Sequence, residues 1–368
     1  MNGISLFSNV GIGELYLKNG GISIKIANEI EPKRAQFYKH IYPETDMVVG
    51  DINEKFDELV RKAKEEGCEF LIATPPCQGM SIAGKMDDKD ERNELIIPVL
   101  NMIEELHPKY VLIENVPRML THKIVYKGIE DTVENTIQRV FGQEYHINKN
   151  KILNTQDYQV PQNRRRRTII LMSTEGDWEY PEKNELITVR QAIGDLPSVE
   201  AIVDGDVDYF AGNSEKIKKC LEVHKWHTPK QHNKHHVEIM QHTPTGHSAF
   251  ENEVYYPKRK DGKRVTGYPT TYKRMEWDKP APTITMGNGR ISSQNNVHPG
   301  RQNEDGTYSD ARVLTVYELM VLSTIPTDWD IPEWASESFI RRVIGEGIPP
   351  KAVELLVQNR PTSKEHDL

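Results

Sequence analysis

The sequence predicts an α/β fold, in which an open and mostly parallel sheet carries helices on both faces, together with a second, smaller, irregular and β-rich domain. Two observations lead to this prediction. Short apolar runs alternate with helical patterns over roughly the first 115 residues, which is typical of a parallel sheet. From about residue 180, glycine, proline and basic residues become frequent, and seven of the 13 histidines lie between His224 and His247.

Each element of the sheet domain can be placed in order. The predicted strands are Ile4–Phe7, Ile22–Ala27, Met47–Val49, Phe70–Ala73 and Tyr110–Ile113. The predicted helices between them are Pro32–His40, Asn53–Glu66 and Glu94–Leu106. Pro32 suits a first helical turn, where its missing N–H is not needed.

Two later helices complete the predicted organisation. No long amphipathic helix is expected after the sheet domain until Leu314–Ser323, and the helix Lys351–Gln358 is expected to return to the first domain. We therefore assign residues 1–180 and 335–368 to the first domain and 181–334 to the second.

Composition restricts the class of protein. With 368 residues, 37% of them hydrophobic and 28% charged, the chain can bury a sizeable core. Cys68, Cys77 and Cys220 form no CxxC pair and no disulfide pattern, which fits a reducing cytoplasm. No apolar run of about 18 residues predicts a membrane span, and Met1–Gly11 has no secretory pattern. We expect a cytoplasmic protein without a membrane partner.

The net charge is −8, but local basic segments still allow the chain to bind a nucleic acid. The segment Tyr255–Arg274 holds seven Lys and Arg residues against the single acid Asp261, and Arg164–Arg167 is an unbroken basic run. Binding a polyanion requires only a local basic surface.

Three successive strand ends carry groups that suit an adenosine-bearing ligand, because ligands of open α/β sheets bind beyond the carboxyl ends of the strands. The first strand leads into a loop with Gly11 and Gly13, the second into Glu29, and the third into Asp51. Glycines admit close backbone approach, and the acids can bind ribose hydroxyls and an adenine amine. Taken singly, each feature is equally typical of a turn or a solvated cap, and a nicotinamide cofactor would fit nearly as well.

A thiol and a carboxyl follow the next two strands. Cys77 lies in a proline-stiffened loop after the fourth strand, and Glu114 ends the fifth. Considered alone, Cys77 is a small buried hydrophobe, the usual fate of a free cysteine, and Glu114 is a structural cap.

Four motifs in order decide between these alternatives. They are Pro76-Cys77-Gln78, Glu114-Asn115-Val116, Gln162-Asn163-Arg164-Arg165-Arg166 and Arg312-Val313-Leu314-Thr315-Val316-Tyr317-Glu318. The chain resembles the cytosine-5 DNA methyltransferases of bacterial restriction–modification systems, from the N-terminus to about residue 175 and from about 280 to 358. The resemblance implies a Rossmann-like, S-adenosylmethionine-dependent methyltransferase sheet. The implied cofactor-binding residues are Phe7, Gly11, Gly13, Glu29, Ile30, Asp51, Ile52, Pro76, Leu95 and Glu346.

The resemblance also implies roles in catalysis. Cys77 is the nucleophile that adds to carbon 6 of cytosine and activates carbon 5. Glu114 holds a proton beside the ring nitrogen and the exocyclic amine, which requires a dry pocket. Arg166 holds the base oxygen and Arg164 orients the nucleophile loop. We expect both on one face of a strand, with Arg165 and Arg167 turned toward phosphate or solvent.

The implied substrate is double-stranded DNA from which the target cytosine is flipped, since none of the reacting atoms is reachable in a duplex. The loop Gly79–Lys85 resembles the family's mobile loop, and the second domain is expected to read the target sequence. The predicted DNA contacts are Gln78, Ser81, Lys85, Arg165, Lys258, Arg259, Lys260, Lys263, Arg264, Arg274 and Asn295. We expect a monomer, with any cognate restriction endonuclease acting separately.

The chain departs from the family pattern at four positions. Asn9 and Ile12 replace two glycines of the first loop, Ile30 stands where a tryptophan often stacks on adenine, and Glu346 replaces an asparagine that contacts the cofactor. Asn tolerates a left-handed backbone, so the turn can persist.

Two other interpretations stay open. A tRNA cytosine methyltransferase shares the fold and the motifs, and a catalytically silent DNA-binding protein could keep the fold alone. His232, His235 and His236 have tolerable spacing for zinc but no nearby cysteine partner, so we expect no metal.

Overall fold

A computed structural model describes residues 1–76, 94–164, 167–204, 209–259 and 261–362. Its strands are β1 (Asn2–Leu6), β2 (Ser23–Glu29), β3 (Asp46–Val49), β4 (Cys68–Ala73), β5 (Tyr110–Asn115), β6 (Lys123–Tyr126), β7 (Ile129–Thr132), β8 (His146–Ile147), β9 (Ile152–Leu153), β10 (Gln162–Asn163), β11 (Arg167–Ser173), β12 (Ile202–Val203), β13 (Gln231–His232) and β14 (Ala281–Pro282).

Eleven α-helices are assigned in the same described ranges. They are α1 (Pro32–Ile41), α2 (Phe56–Glu65), α3 (Ile96–Leu106), α4 (Arg118–Thr121), α5 (Val133–Phe141), α6 (Val189–Ile193), α7 (Tyr209–Val223), α8 (Lys234–Gln241), α9 (Val316–Leu322), α10 (Glu337–Glu346) and α11 (Pro350–Gln358). In the part of the chain that these ranges cover, no helix is long and apolar enough to span a membrane.

The central sheet confirms the predicted α/β class. Its strand order is β3-β2-β1-β4-β5-β11-β8, with β9 also paired to β11. The first five strands pair in parallel, whereas β11 is antiparallel to β5. All five predicted strands and the three predicted helices between them are present, with ends shifted by up to three residues. The carboxyl ends of five neighbouring strands therefore meet at one edge.

Burial on both faces explains the continuous apolar runs of the central strands. Along β4, Phe70 and Ile72 join the apolar cluster that contains α11, while Leu71 and Ala73 join the cluster that contains α2 and α3. This alternation follows the two-residue period of a strand. The predicted return of the last helix is confirmed, because Val353 and Leu356 of α11 are fully buried in the first of these clusters.

The region after the sheet contains more helix than the sequence suggested. The expectation of no long helix before residue 314 is wrong, since α7 spans 15 residues and α8 spans eight. Strands here are only two residues long in the described ranges, so the region is irregular but not β-rich. The predicted helix at Leu314–Ser323 exists as α9. Its apolar side packs in a cluster with α10 and with Phe37 of α1.

A buried ionic cluster organises this second region. Arg312 binds Glu318 through two nitrogens, at 2.8 and 2.9 Å, and binds Asp310 at 2.8 Å. All three side chains are at most 1% exposed. Burial by itself would raise the pKa of Glu318, but Arg312 and His298 outweigh it and lower this pKa to about 2. The sequence motif that contains Arg312 and Glu318 thus encodes a structural ion pair.

Arg274 belongs to the same buried region, so the prediction that it contacts DNA phosphate is wrong. Its side chain is fully buried, and its guanidinium donates to the backbone carbonyls of Met240 at 2.8 Å and His298 at 2.8 Å. Five donors in a planar fork allow one arginine to satisfy several carbonyls of irregular chain. A basic run in the sequence does not distinguish this use from a phosphate contact.

We expect Arg312→Met to lower the free energy of unfolding by roughly 3–5 kcal/mol, because it leaves two buried carboxylates without their partner. Urea denaturation measures the change. Arg190→Met is the matched control: Arg190 also makes a two-nitrogen contact, to Asp278, but its side chain is 57% exposed. Exposed pairs contribute little, so equal losses in the two variants would contradict the structural role of Arg312.

Candidate active site at the carboxyl edge of the sheet

The loop after β1 takes a backbone shape that favours glycine. Phe7, Asn9 and Gly11 have φ values of 57°, 50° and 76°, all in the left-handed region. At Gly11 a Cβ atom would lie 2.4 Å from the ring of Tyr42, so no other residue fits there. Asn9 adopts the left-handed turn that the family usually builds with glycine, as expected for an asparagine.

Glu29, at the end of β2, lies against this loop as predicted. Its two carboxylate oxygens accept hydrogen bonds from the backbone N–H groups of Asn9 and Glu31, both at 2.9 Å. The residue is 4% exposed, and burial raises the pKa of its carboxyl. The next side chain, Ile30, is 57% exposed. A buried carboxylate and an exposed apolar side chain are thus adjacent at the end of β2.

The end of β3 is joined to the same edge. Gly50 N donates to Glu29 O at 3.1 Å, and Asn28 Nδ2 donates to Gly50 O at 3.1 Å. Asp51 Oδ1 caps the following turn by accepting from the backbone N–H of Asn53 at 2.8 Å. Ile52 is buried, while Leu95, just before α3, is half-buried. The three strand ends that sequence analysis combined are therefore neighbours.

Two hydrogen bonds fix the start of the proposed nucleophile loop. Thr74 Oγ1 donates to Phe7 O at 2.9 Å, and Asn115 Nδ2 donates to Pro75 O at 3.1 Å. The chain leaves β4 between the loop that follows β1 (residues 7–13), which we call the cofactor-type loop, and the end of β5. Pro76, half-buried, is the last described residue before the gap. Cys77 lies outside the described residues.

Glu114 is buried beside Arg167, which was predicted from the sequence to face phosphate or solvent. Arg167 Nη1 lies 2.8 Å from Glu114 Oε1, and the two side chains are 14% and 9% exposed. The prediction that Arg167 turns toward phosphate or solvent is therefore wrong. In the β5–β11 register Ile169 is paired with Glu114, so Arg167, two residues away on the same face, reaches the carboxylate diagonally. This ion pair holds the proposed acid in one place.

Arg164 lies between β10 and β11, so the predicted strand carrying Arg164 and Arg166 on one face is not formed at Arg164. Its guanidinium donates to three carbonyls from distant segments, those of Ile284 at 3.0 Å, Gly345 at 3.1 Å and Glu346 at 3.1 Å. It is 4% exposed. Its predicted action on the nucleophile loop stays a prediction, and Arg166 lies outside the described residues.

Gln162 reinforces the same junction. Its side-chain oxygen accepts from Ile284 N at 3.1 Å, and its nitrogen donates to Ser323 Oγ at 3.2 Å. The residue is 1% exposed, and β10 pairs with β14 just before Ile284. The glutamine and first arginine of this motif thus join the sheet domain to the segment around residue 284.

The predicted DNA contacts divide into three groups. Gln78, Ser81, Lys85, Arg165 and Lys260 lie outside the described residues. Lys258, Arg259 and Lys263 are exposed, as a phosphate contact requires. Arg264 is exposed too, but its terminal nitrogens donate to the carbonyls of Phe250 and Asn252, both at 2.9 Å, and its guanidinium lies 3.8 Å from the centroid of the Tyr256 ring. These contacts show that Arg264 stabilises the conformation of the basic loop that carries Lys258, Arg259 and Lys263.

Asn295 has a structural role within the described contacts. Its backbone takes φ 48°, and its N–H donates to Thr270 O at 2.8 Å. The side chain is half-buried, and its predicted pairing with a base edge stays a prediction. The described residues hold no group of three or more His, Cys, Asp or Glu side chains placed for a metal.

A basic cavity of about 640 Å³, which the sequence did not predict, lies in the second region. Its polar lining includes Lys230, Asn233, His236, Arg290, Ser292 and Ser293. The loop on one side carries the exposed Met286 and Arg290 and is fixed by buried Asn288, whose amide donates to Thr285 O at 2.7 Å and Arg341 O at 2.9 Å. The sequence signal was weak, because the basic residues are far apart along the chain.

A buried acid outside the predicted set supports the cofactor-type loop. Glu14 accepts hydrogen bonds from Ser5 Oγ at 2.6 Å and from the Tyr38 hydroxyl. Burial, which outweighs the lowering effect of these bonds, raises the pKa of Glu14 to about 7. The carboxyl links β1 to α1 behind the loop.

Comparisons with known proteins cover nearly the whole chain. A family model described as C-5 cytosine-specific DNA methylase matches residues 1–360. The chain is 47% identical to the type II methyltransferase M1.HgaI of Avibacterium volantium over 96% of both chains, and 26% identical to the type II methyltransferase M1.HphI of Haemophilus parahaemolyticus over 96% of this chain and 85% of the other.

Among solved structures, the chain is similar to one described as a DNA modification methyltransferase encoded within an E. coli prophage. The TM-score is 0.67 and the sequence identity 20%, with 98% of both chains covered. At this identity, the likeness supports the fold.

Glu14→Gln is expected to change how stability depends on pH. The folded pKa of Glu14, about 7, exceeds its ordinary value of 4.5, so its contribution is complete below pH 4.5 and is lost as the pH rises through 7. The neutral amide does not titrate. Between pH 5 and pH 8, the free energy of unfolding of the variant should rise relative to that of the wild type by up to about 3 kcal/mol. Urea denaturation of both proteins at the two pH values measures this change. A constant difference between the two proteins would contradict the buried titration.

Proposed function

Because this chain belongs to the C-5 cytosine-specific DNA methylase family, we propose that it transfers a methyl group from S-adenosylmethionine to carbon 5 of a flipped cytosine in a specific duplex sequence, through a covalent adduct with Cys77. One observation carries the proposal. The Asn115 amide, which follows Glu114 on β5, binds Pro75 O. The chain is therefore held beside Glu114 two residues before Cys77.

The chemistry requires a thiolate and an acid on one pyrimidine ring. Addition of the Cys77 sulfur to carbon 6 shifts electron density to carbon 5, which then accepts the methyl group. Glu114, held by the ion pair with Arg167, supports this addition by hydrogen bonding at the ring nitrogen and the exocyclic amine. Transfer of the carbon 5 proton to water or another base, with expulsion of the Cys77 thiolate, restores the aromatic base and the free enzyme. S-adenosylmethionine supplies an electrophilic methyl group when bound.

The residues at the three strand ends fit this cofactor. Glu29 offers a carboxylate for ribose hydroxyls and Ile30 an exposed apolar surface for the adenine ring. Asn9 Oδ1 is buried and has no hydrogen-bond partner within the described ranges. A buried acceptor without a donor is costly, and the hydroxyls and α-ammonium of the cofactor are donors.

Arginines organise the base pocket in different ways. Arg167 holds Glu114 through the 2.8 Å ion pair, and Arg164 fixes the surrounding segments by its bonds to three carbonyls. From the family resemblance, Arg166 is the residue that binds the base oxygen. This division leaves one arginine of the motif for the substrate and uses the others to hold the site in shape.

We assign the reading of DNA to residues 181–334, and catalysis to 1–180 with 335–368. Two surfaces of the reading part suit the duplex: the exposed basic loop with Lys258, Arg259 and Lys263, and the cavity with Lys230 and Arg290. Basic groups contact phosphate without sequence preference, whereas polar groups on a fixed loop can read base edges. Because two hydrogen bonds from the Asn288 amide fix its loop, the cavity is the better candidate for sequence specificity.

DNA is favoured over tRNA as the substrate. The matching family model is described as a DNA methylase, and both relatives compared above are named type II methyltransferases. The same names support a place in a restriction–modification system. The presence of Cys77 and Glu114 together disfavours a catalytically silent DNA-binding protein.

Cys77→Ser should abolish methyl transfer while binding of S-adenosylhomocysteine persists, because the hydroxyl is a far weaker nucleophile than a thiolate. Bisulfite sequencing of DNA from expressing cells measures transfer, and calorimetry measures binding. Cys220→Ala, at a buried thiol outside the site, is the control and should retain activity. Full activity in Cys77→Ser would contradict the mechanism, and trapping on 5-fluorocytosine tRNA rather than on duplex DNA would favour the tRNA substrate.

Replacement of Arg290 or Lys230 by alanine should weaken duplex binding and reduce the slope of log K against log salt by about 0.9 for each lost phosphate contact. Fluorescence anisotropy over a salt series measures both quantities. Arg61→Ala, on the exposed side of α2 in the sheet domain, is the matched control. Unchanged affinity and slope in the cavity variants would exclude the cavity from the DNA interface.

A further inference from the structure

Two positions at which the chain departs from the family pattern, Asn9 and Glu346, contact each other, and an arginine outside every motif pairs with Glu346. Asn9 Nδ2 donates to Glu346 Oε2 at 2.8 Å. Arg34, on α1, places Nη2 3.0 Å from Glu346 Oε1 and 2.9 Å from Oε2. We call Asn9, Arg34 and Glu346 the cofactor-loop cluster. Its members come from the loop after β1, from α1 and from the last residue of α10.

The third departure packs against the same junction. A Cβ atom at Gly347 would lie 3.0 Å from Ile12 Cβ, and Ile12 is 4% exposed. The extra side chain at position 12 thus occupies the space beside a glycine that follows Glu346. The substitutions in the first loop and in the last motif are therefore complementary in shape as well as in hydrogen bonding.

Glu346 determines how the Asn9 amide is oriented. With Nδ2 toward the carboxylate, Asn9 makes a charge-assisted hydrogen bond, whereas the flipped amide would set Oδ1 against a carboxylate oxygen. Arg34 keeps the carboxylate in position, and their side chains are 19% and 15% exposed, so the pair is partly shielded from solvent. Arg342 adds an exposed contact to Oε1 at 3.1 Å.

Asn9 transmits this orientation to the ribose acid. The residue is held at φ 50°, and its backbone N–H donates to Glu29 Oε2 at 2.9 Å. Burial raises the pKa of Glu29, while the positive charge of Arg34 acts in the opposite direction. A shift of Asn9 would therefore move the group assigned to the ribose.

We propose that Arg34 and Glu346 are positioning residues for the methyl donor, acting through Asn9. The family usually has a glycine at position 9 and an asparagine at position 346. Here the Arg34–Glu346 ion pair and the Asn9–Glu346 hydrogen bond hold the loop in shape instead. The proposal rests on the proposed function, since it concerns the same cofactor site. It predicts that the cluster acts as a unit on cofactor affinity and leaves the chemical step intact.

A double-mutant cycle tests this unit. The probe is S-adenosylhomocysteine, and its Kd is measured by calorimetry for the wild type, Asn9→Gly, Glu346→Ala and the double variant. Each single change should weaken binding about tenfold, and the double variant should also lose about tenfold rather than a hundredfold, because either change already breaks the link. The proposal would be overturned if the double variant lost about a hundredfold in affinity, or if the single variants bound the probe as tightly as the wild type.

Further measurements separate positioning from a general loss of structure. Arg34→Lys should recover part of the affinity that Arg34→Ala loses, and kcat at saturating S-adenosylmethionine should stay within about twofold of the wild type. Glu65→Ala, at an exposed glutamate paired with Arg61 on α2, should bind the probe normally. A fall in kcat with unchanged Kd would contradict the assigned role.

Folding does not limit the test. Glycine adopts φ 50° without strain, so Asn9→Gly should keep its melting temperature even if a Glu346 variant unfolds, and unchanged affinity in Asn9→Gly alone would overturn the proposal. A wild-type protein that fails to bind S-adenosylhomocysteine would instead overturn the proposed function, together with the role assigned here.

Discussion

The buried guanidinium of Arg164 is the contact on which the arrangement of the site depends. Its hydrogen bonds join Ile284, Gly345 and Glu346, three carbonyls that regular secondary structure leaves available. An arginine with five donors can satisfy such carbonyls at once, and carbonyls left buried without donors would be costly. The loop after Ile284, which we propose to face DNA, and the end of α10 beside the cofactor-type loop are consequently held at one point.

This junction explains why the motifs lie far apart in the chain yet serve one site. Gln162 and Arg164 lie just before the last long strand of the sheet, β11, while Ile284 and Glu346 belong to segments more than 100 residues later. Gly345 permits the close approach, because a Cβ there would lie 2.4 Å from the backbone of Thr285. The surfaces proposed for the cofactor, the base and the duplex can therefore keep a fixed spacing.

Charge is used inside this protein as much as on its surface. Arg164, Arg274, Arg312 and Arg341 are all at most 4% exposed. The second region has little regular structure, so many of its carbonyls need side-chain donors, and arginine supplies them. A basic composition after residue 180 therefore indicated both a polyanion partner and an irregular chain that must be held internally, and composition alone does not separate the two.

The sequence by itself determined the five parallel strands of the sheet and the groups proposed for the site at their ends. Continuous β-rich runs located all five parallel strands, and acids or glycines at their ends located Glu29, Asp51 and Gly11 at one edge, because a parallel strand always delivers its carboxyl end there. Only the tertiary structure decided which arginine meets Glu114, that Arg274 is internal and that Asn9 meets Glu346. Those contacts join residues far apart in the chain, and local periodicity carries no information about which distant partner a side chain will reach.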